Sequence, residues 1–116
     1  MRIKMLAAAI AFAIIMTAAA AFAHPPEDLS LTWNKADNTL SVTASHIVNN
    51  KTKHYIMSLL VTDGNKQLLL KKYNQQSSDT QFSDKVVLQG VKPGTTLTVE
   101  LTCNIMGSQS KSITVQ

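Results

Sequence analysis

The chain has 116 residues, eleven basic and seven acidic, for a formal net charge of +4, with 45% hydrophobic residues and a single cysteine. Arg2 and Lys4 supply two of the basic residues, and the rest of the chain has neither a basic cluster nor an aromatic platform, so nucleic-acid binding has no support. The length suits one small domain around one core.

Arg2 and Lys4 precede the apolar run MLAAAIAFAIIMTAAA, which ends in Ala21-Phe22-Ala23, a small-x-small cleavage pattern. Residues 1–23 read as a secretory signal peptide, with an uncleaved membrane anchor as the alternative. The mature domain is then 24–116, periplasmic or secreted. No membrane association is expected after cleavage, because later apolar runs such as LLV and LLL fall far short of the roughly 20 residues a span requires.

From residue 27 onward the pattern is one of short strands between turn signals. Leu29, Leu31 and Trp33 alternate with polar residues and NKADN turns the chain. Leu40, Val42 and Ala44 alternate again as far as His46. A polar loop, NNKTK, leads into HYIMSLLVT, and Asp63-Gly64 marks a tight hairpin into KQLLLKKY. NQQSSDT is a loop, QFSDKVVL a strand, Pro93-Gly94 a turn, and TLTVELTC and KSITV close the chain. About seven strands in roughly 90 residues, with turns at regular spacing, predict an all-β, seven-stranded antiparallel sandwich of the immunoglobulin-like kind.

The strands between residues 55 and 72 carry apolar side chains on both parities and read as central and covered on both faces. Lys71-Lys72 reads as a solvated strand end. Glu27 and Asp28 read as solvated acids, Asp63 as a turn residue, and Asp79 and Asp84 as loop residues.

Strand parity also aims two reactive side chains. Leu97, Val99, Leu101 and Cys103 share one face, so Cys103 extends the inward row to its strand's end. His46 extends the row of Leu40, Val42 and Ala44 in the same way. An exported protein normally bridges its cysteines in pairs. A single one is therefore inert and buried, joined to another chain, or used for its chemistry.

The chain's three histidines are His24, His46 and His54, the latter two bracketing one loop, while Cys103 and Met106 bracket a turn closed by Gly107. Imidazoles with soft sulfur ligands suit one redox-active iron or copper ion. Zinc accepts the same ligands, but structural zinc sites draw on several cysteines. Shared coordination requires His46, His54 and Cys103 to lie within about 7 Å of one another, since the bonds run near 2.0 to 2.3 Å. A cysteine–histidine hydrolase would need an oxyanion hole and an orienting acid, and nothing marks either.

HPP at 24–26, H…KHYI across 46–56 and CNIMG at 103–107, in that order, resemble the ferrous iron domain of the desulfoferrodoxin and neelaredoxin family, the superoxide reductases. The resemblance covers nearly all of the mature chain and implies a seven-stranded immunoglobulin-like sandwich. It also implies one iron held by His24, His46 and His54, with Cys103 as the axial thiolate opposite the position where superoxide is reduced. Three features depart from the family. Met106 stands where the family's last histidine ligand would be. Phe22 and Ala23 stand where the family has a glutamate and a lysine. The loop from His46 to His54 is about two residues longer.

These departures turn the ligand set toward histidine, cysteine and methionine, the donors of an electron-transfer copper centre with a long, weak thioether bond. A cut after Ala23 would also let the α-amine of His24 join its ring in a copper chelate. The expectation is thus one iron or copper ion held by His24, His46, His54, Cys103 and Met106, serving superoxide reduction or electron transfer with a partner. The alternatives are a copper protein without superoxide reductase activity and a secreted sandwich module without metal, in which Trp33, Tyr55 and Tyr73 merely pack. Oligomeric state and electron donor leave no mark in the sequence.

Overall fold

The computed structural model describes residues 24–116; the expected signal peptide lies outside the described residues. Seven strands follow one another: β1 (Glu27–Asn34), β2 (Thr39–Ser45), β3 (Ile56–Asp63), β4 (Lys66–Lys72), β5 (Gln81–Val87), β6 (Thr96–Cys103) and β7 (Ser108–Thr114). They form a three-stranded sheet in the order β1-β2-β5 and a four-stranded sheet in the order β4-β3-β6-β7, with every pairing antiparallel. This is the expected all-β, seven-stranded sandwich. Among the described residues there is no helix long and apolar enough to cross a membrane.

The core follows from period-two alternation. Leu40, Val42 and Ala44 of β2 face Leu59 and Val61 of β3 and Leu97, Val99 and Leu101 of β6, and all are buried. The two reactive positions lie on the same inward rows: His46 is fully buried just past the end of β2, and Cys103 is buried at the end of β6.

Two irregularities set the end of the sandwich where those residues meet. The register of β3 against β6 shifts between Ile56 and Ser58, which turns Met57 outward and pairs Ile56 with Cys103. The register of β1 against β2 shifts between Glu27 and Ser30, where Asp28 has a φ of 51°. Bulges of this kind bend a strand and re-aim its end. Pro26, just before β1, is fully buried.

The region from 55 to 72 differs from expectation. β3 is central in its sheet but buries alternate residues only, and β4 is an edge strand with its leucines half-buried or exposed. The three consecutive leucines of β4 place apolar groups on both faces of a strand that only one sheet covers. The hairpin between β3 and β4 forms as anticipated, with Gly64 and Asn65 as its two loop residues and Asp63 paired to Lys66.

Asp84 departs from its reading as a loop residue, since it lies within β5, while Lys71 is an exposed residue near the end of β4 as read. Asp84 lies opposite Val42 and Lys71 opposite Leu59, so both take the inward parity of edge strands. Across the gap between the two sheets Lys71 Nζ lies 2.7 Å from Asp84 Oδ2, and the Tyr73 hydroxyl donates to the same oxygen at 2.5 Å. An inward-pointing charge also protects an edge strand from pairing with another chain.

Burial alone would raise the Asp84 pKa, but hydrogen bonds from Lys71, Tyr73 and the Lys85 amide hold it below the ordinary carboxylate value. Burial, reinforced by the bond to Asp84, pushes the Tyr73 phenol up. A lowered folded-state pKa stabilises above the unfolded value of about 3.9 and is lost as pH falls through the folded one. Replacing Asp84 with alanine should cost about 1–2 kcal/mol at neutral pH, the low figure reflecting its partial exposure. Urea unfolding of both proteins across pH should show this difference constant from pH 5 to 7 and shrinking below about pH 4.

Candidate metal centre

At one end of the sandwich, the ligand atoms of His46, His54 and Cys103 all lie within 4.8 Å of one another. Two donors on opposite sides of one ion are at most about 4.6 Å apart. Around one ion in tetrahedral or trigonal geometry such donors lie roughly 3.3–3.8 Å apart, so the widest pair closes by at most about 1.5 Å, and the group is well inside the separation that excludes shared coordination. These three residues form a group able to hold a metal ion.

Each ligand is placed by backbone bonds. Past the end of β2 the chain stays paired, with the His46 amide donating to Thr80 O at 3.0 Å and the Val48 amide to Asp79 O at 2.8 Å. His54 closes a turn in which its own amide and that of Lys53 donate to Asn50 O, while the Asn50 side chain accepts from the Thr52 amide. An asparagine that bonds the backbone two residues on is a strong turn former, so the NNKTK segment is a built loop.

Cys103 is a free, buried thiol, and the Ile105 amide points at its sulfur from 3.5 Å.

Asn104 joins the cysteine turn to the histidine loop. Its side-chain oxygen accepts from the Tyr55 amide at 2.9 Å, its amide nitrogen donates to Lys53 O at 3.0 Å, and its backbone amide donates to Tyr55 O at 3.0 Å. His54 thus sits between residues tied directly to the neighbour of Cys103. The Asn104 position was visible in the sequence beside the cysteine, but its role was not.

The two histidines have unmet bonding capacity. His46 Nδ1 meets Gln76 Oε1 at 2.8 Å, whereas Nε2 of His46 and Nε2 of His54 are buried without any hydrogen-bond partner. Buried side-chain polar atoms nearly always have a partner, and one without calls for a cause. A metal ion held by this group would supply one. Burial, followed by the neighbouring His46 and His24, lowers the His54 pKa and keeps its ring neutral and able to bind metal at neutral pH.

His24 lies beside this group. Its ring centroid is 5.3 Å from that of His46 and 5.7 Å from that of His54, and those two are 4.8 Å apart. Both nitrogens of His24 face backbone oxygens, Nδ1 that of Pro25 at 3.1 Å and Nε2 that of Ile47 at 3.0 Å. Coordination by His24 therefore requires it to exchange one of these contacts for the ion. Met106, on the turn after Cys103, is 46% exposed.

Three of the five anticipated ligands thus converge, His24 stacks against them, and Met106 stands on the turn that carries the thiol. Gln76, which bonds His46, gave no signal in the sequence, where it is one glutamine in a polar loop. Compared with known proteins, the chain matches no family model, no curated protein and no solved structure.

The approach of His24 also depends on a glycine. Gly107 has a φ of +80°, and a Cβ there would come within 2.8 Å of Pro25 Cβ. Gly107→Ala should combine a disfavoured backbone conformation with a clash against the segment carrying His24, at a cost of about 1–3 kcal/mol. Thermal unfolding should show a reduced midpoint, and the loss should be smaller when Pro25 is also replaced by glycine.

Proposed function

We propose that this is an exported mononuclear redox metal-binding protein, holding one iron or copper ion through His46, His54 and Cys103 at the end of a small β-sandwich. The observation that carries this reading is a pair of buried, partnerless imidazole nitrogens on His46 and His54, two residues whose ligand atoms gather within 4.8 Å of one another and of a buried thiol. Two histidines and one cysteine are the equatorial set of an electron-transfer copper centre, to which a methionine adds a weak axial bond. Cys103 and Met106 share one short turn, so the chain carries that donor set. A copper or iron ion held there would supply a one-electron couple. The residues themselves hold its ligands in place: His46 and Cys103 extend paired strands, and Asn104 ties down the loop of His54.

The position of the centre suits exchange of an electron with a partner. Its ligands are buried or half-buried, yet two residues next to them in the chain, Ile47 after His46 and Ile105 two places beyond Cys103, are 64% and 55% exposed. The ion would therefore lie just beneath the surface while strand backbone restrains its ligands, and a restrained set reorganises little between oxidation states.

A second reading, iron with superoxide reductase-like activity, is favoured by His24, whose ring lies close enough to both other imidazoles to join them after a small movement. It draws on the resemblance of HPP, KHYI and CN-x-x-G to the superoxide reductases. The absence of the glutamate and lysine before His24, and of the last histidine, weighs toward electron transfer.

Metal content, electronic absorption and paramagnetic resonance of protein purified from its own compartment decide between these readings. The expected result is about one copper per chain and a sulfur-to-metal charge-transfer band, lost in Cys103→Ser and shifted in Met106→His. Ferrous iron with consumption of superoxide would establish the second reading. No bound metal and no binding on titration would leave a sandwich binding module without a metal.

A further inference from the structure

Gln76 lies in the loop between β4 and β5, far in sequence from every anticipated ligand, and is only 2% exposed. Its backbone amide donates to Lys51 O at 2.9 Å, which anchors it to the loop between His46 and His54. Its side chain uses all of its bonding capacity. Nε2 donates to His46 O and to Ser78 O, each at 2.8 Å, while Oε1 faces His46 Nδ1 at 2.8 Å and accepts from the Ile56 amide at 3.3 Å.

These partners fix which way the amide points. Reversing it would set its oxygen against two carbonyl oxygens and its NH2 group against the Ile56 N–H, so the main chain allows only one orientation. The group facing His46 Nδ1 is therefore an acceptor. A neutral imidazole carries one proton, and here it must sit on Nδ1. Nε2 is left as a bare lone pair, and Nε2 is the buried atom without a partner on a residue that gathers with His54 and Cys103.

We infer that Gln76 is a positioning residue of the metal centre, which selects Nε2 of His46 as the ligand atom by accepting the Nδ1 proton and locks the ring by gripping its own backbone carbonyl. The inference rests on the metal-binding reading above. A partner on the far nitrogen of a metal-bound histidine commonly fixes its tautomer and orientation, and losing that partner typically lowers metal affinity about 10–100-fold. Gln76 differs from a simple partner in holding both the ring and the peptide of the same histidine, so that rotation of either disturbs the other.

The test has a part that involves no metal. Proton–nitrogen correlation spectra of the 15N-labelled metal-free protein should show His46 protonated on Nδ1; protonation on Nε2 overturns the inference. Cuprous copper and ferrous iron are then titrated separately into wild type, Gln76→Met and Gln76→Glu. Gln76→Met keeps the length but loses the acceptor, and should give a mixed His46 tautomer and affinity lower by about 10–100-fold. Gln76→Glu keeps an acceptor oxygen facing Nδ1 but sets a second oxygen against His46 O and Ser78 O, so it should retain the Nδ1–H tautomer while losing the grip on the backbone. A merely structural role would not separate the two in this way. Folded Gln76→Met with wild-type tautomer and affinity, or folded Gln76→Glu without the Nδ1–H tautomer, overturns the inference while leaving the metal reading intact. Should Gln76→Met fail to fold, the wild-type tautomer and the tautomer of Gln76→Glu still decide. Failure of the wild type to bind either ion overturns the metal reading and the inference together, and is seen before any variant is made.

Discussion

Two imidazole nitrogens buried without partners beside a buried thiol are the constraint around which this end of the sandwich is organised. Leaving a buried polar atom unsatisfied costs about 1–3 kcal/mol, and a small domain has only about 5–15 kcal/mol of net stability to set against it. An apolar residue at position 46 would continue the row of Leu40, Val42 and Ala44 at no such cost. The chain instead devotes its local order to keeping the nitrogens close: continued pairing after β2, an asparagine-closed turn before His54, the Asn104 tie and the buried amide of Gln76. A bound ion would turn that cost into coordination.

The same constraint accounts for the irregularities at this end of the fold. The shift in register between β3 and β6 pairs Ile56 with Cys103 and brings the loop carrying His54 down onto the cysteine turn. The bulge in β1 lies just after the place where the chain crosses that turn, and Gly107 lacks the Cβ that would strike Pro25 there. Elsewhere the sandwich is closed by ordinary means, with Lys71 and Tyr73 on one sheet meeting Asp84 on the other.

The strands and the inward aim of His46 and Cys103 were legible in the sequence because a strand has a period of two: Leu40, Val42, Ala44, His46 and Leu97, Val99, Leu101, Cys103 each form one unbroken row. The edge position of β4 was not, since three consecutive leucines look the same whether one face is covered or both. The ion pair of Asp84 with Lys71 was missed because it depends on which strands end as sheet edges, a property of topology that parity does not contain. Gln76 was missed for a related reason: a loop has no period, so nothing local shows that one of its glutamines turns inward. The convergence of His46, His54 and Cys103 was legible only as a consequence of where strands end, and the resemblance to the superoxide reductases added His24 to that set. What the structure adds is an unequal set of candidates, with His46 and His54 holding free nitrogens while both nitrogens of His24 face backbone oxygens.

X-ray absorption at the metal edge, on protein loaded with copper or iron, tests the central claim most directly because it reads the ligands themselves. The account predicts one sulfur at about 2.3 Å together with at least two imidazole nitrogens near 2.0–2.1 Å, the sulfur disappearing in Cys103→Ser. A shell of oxygen and nitrogen alone, unchanged by that substitution, would contradict it.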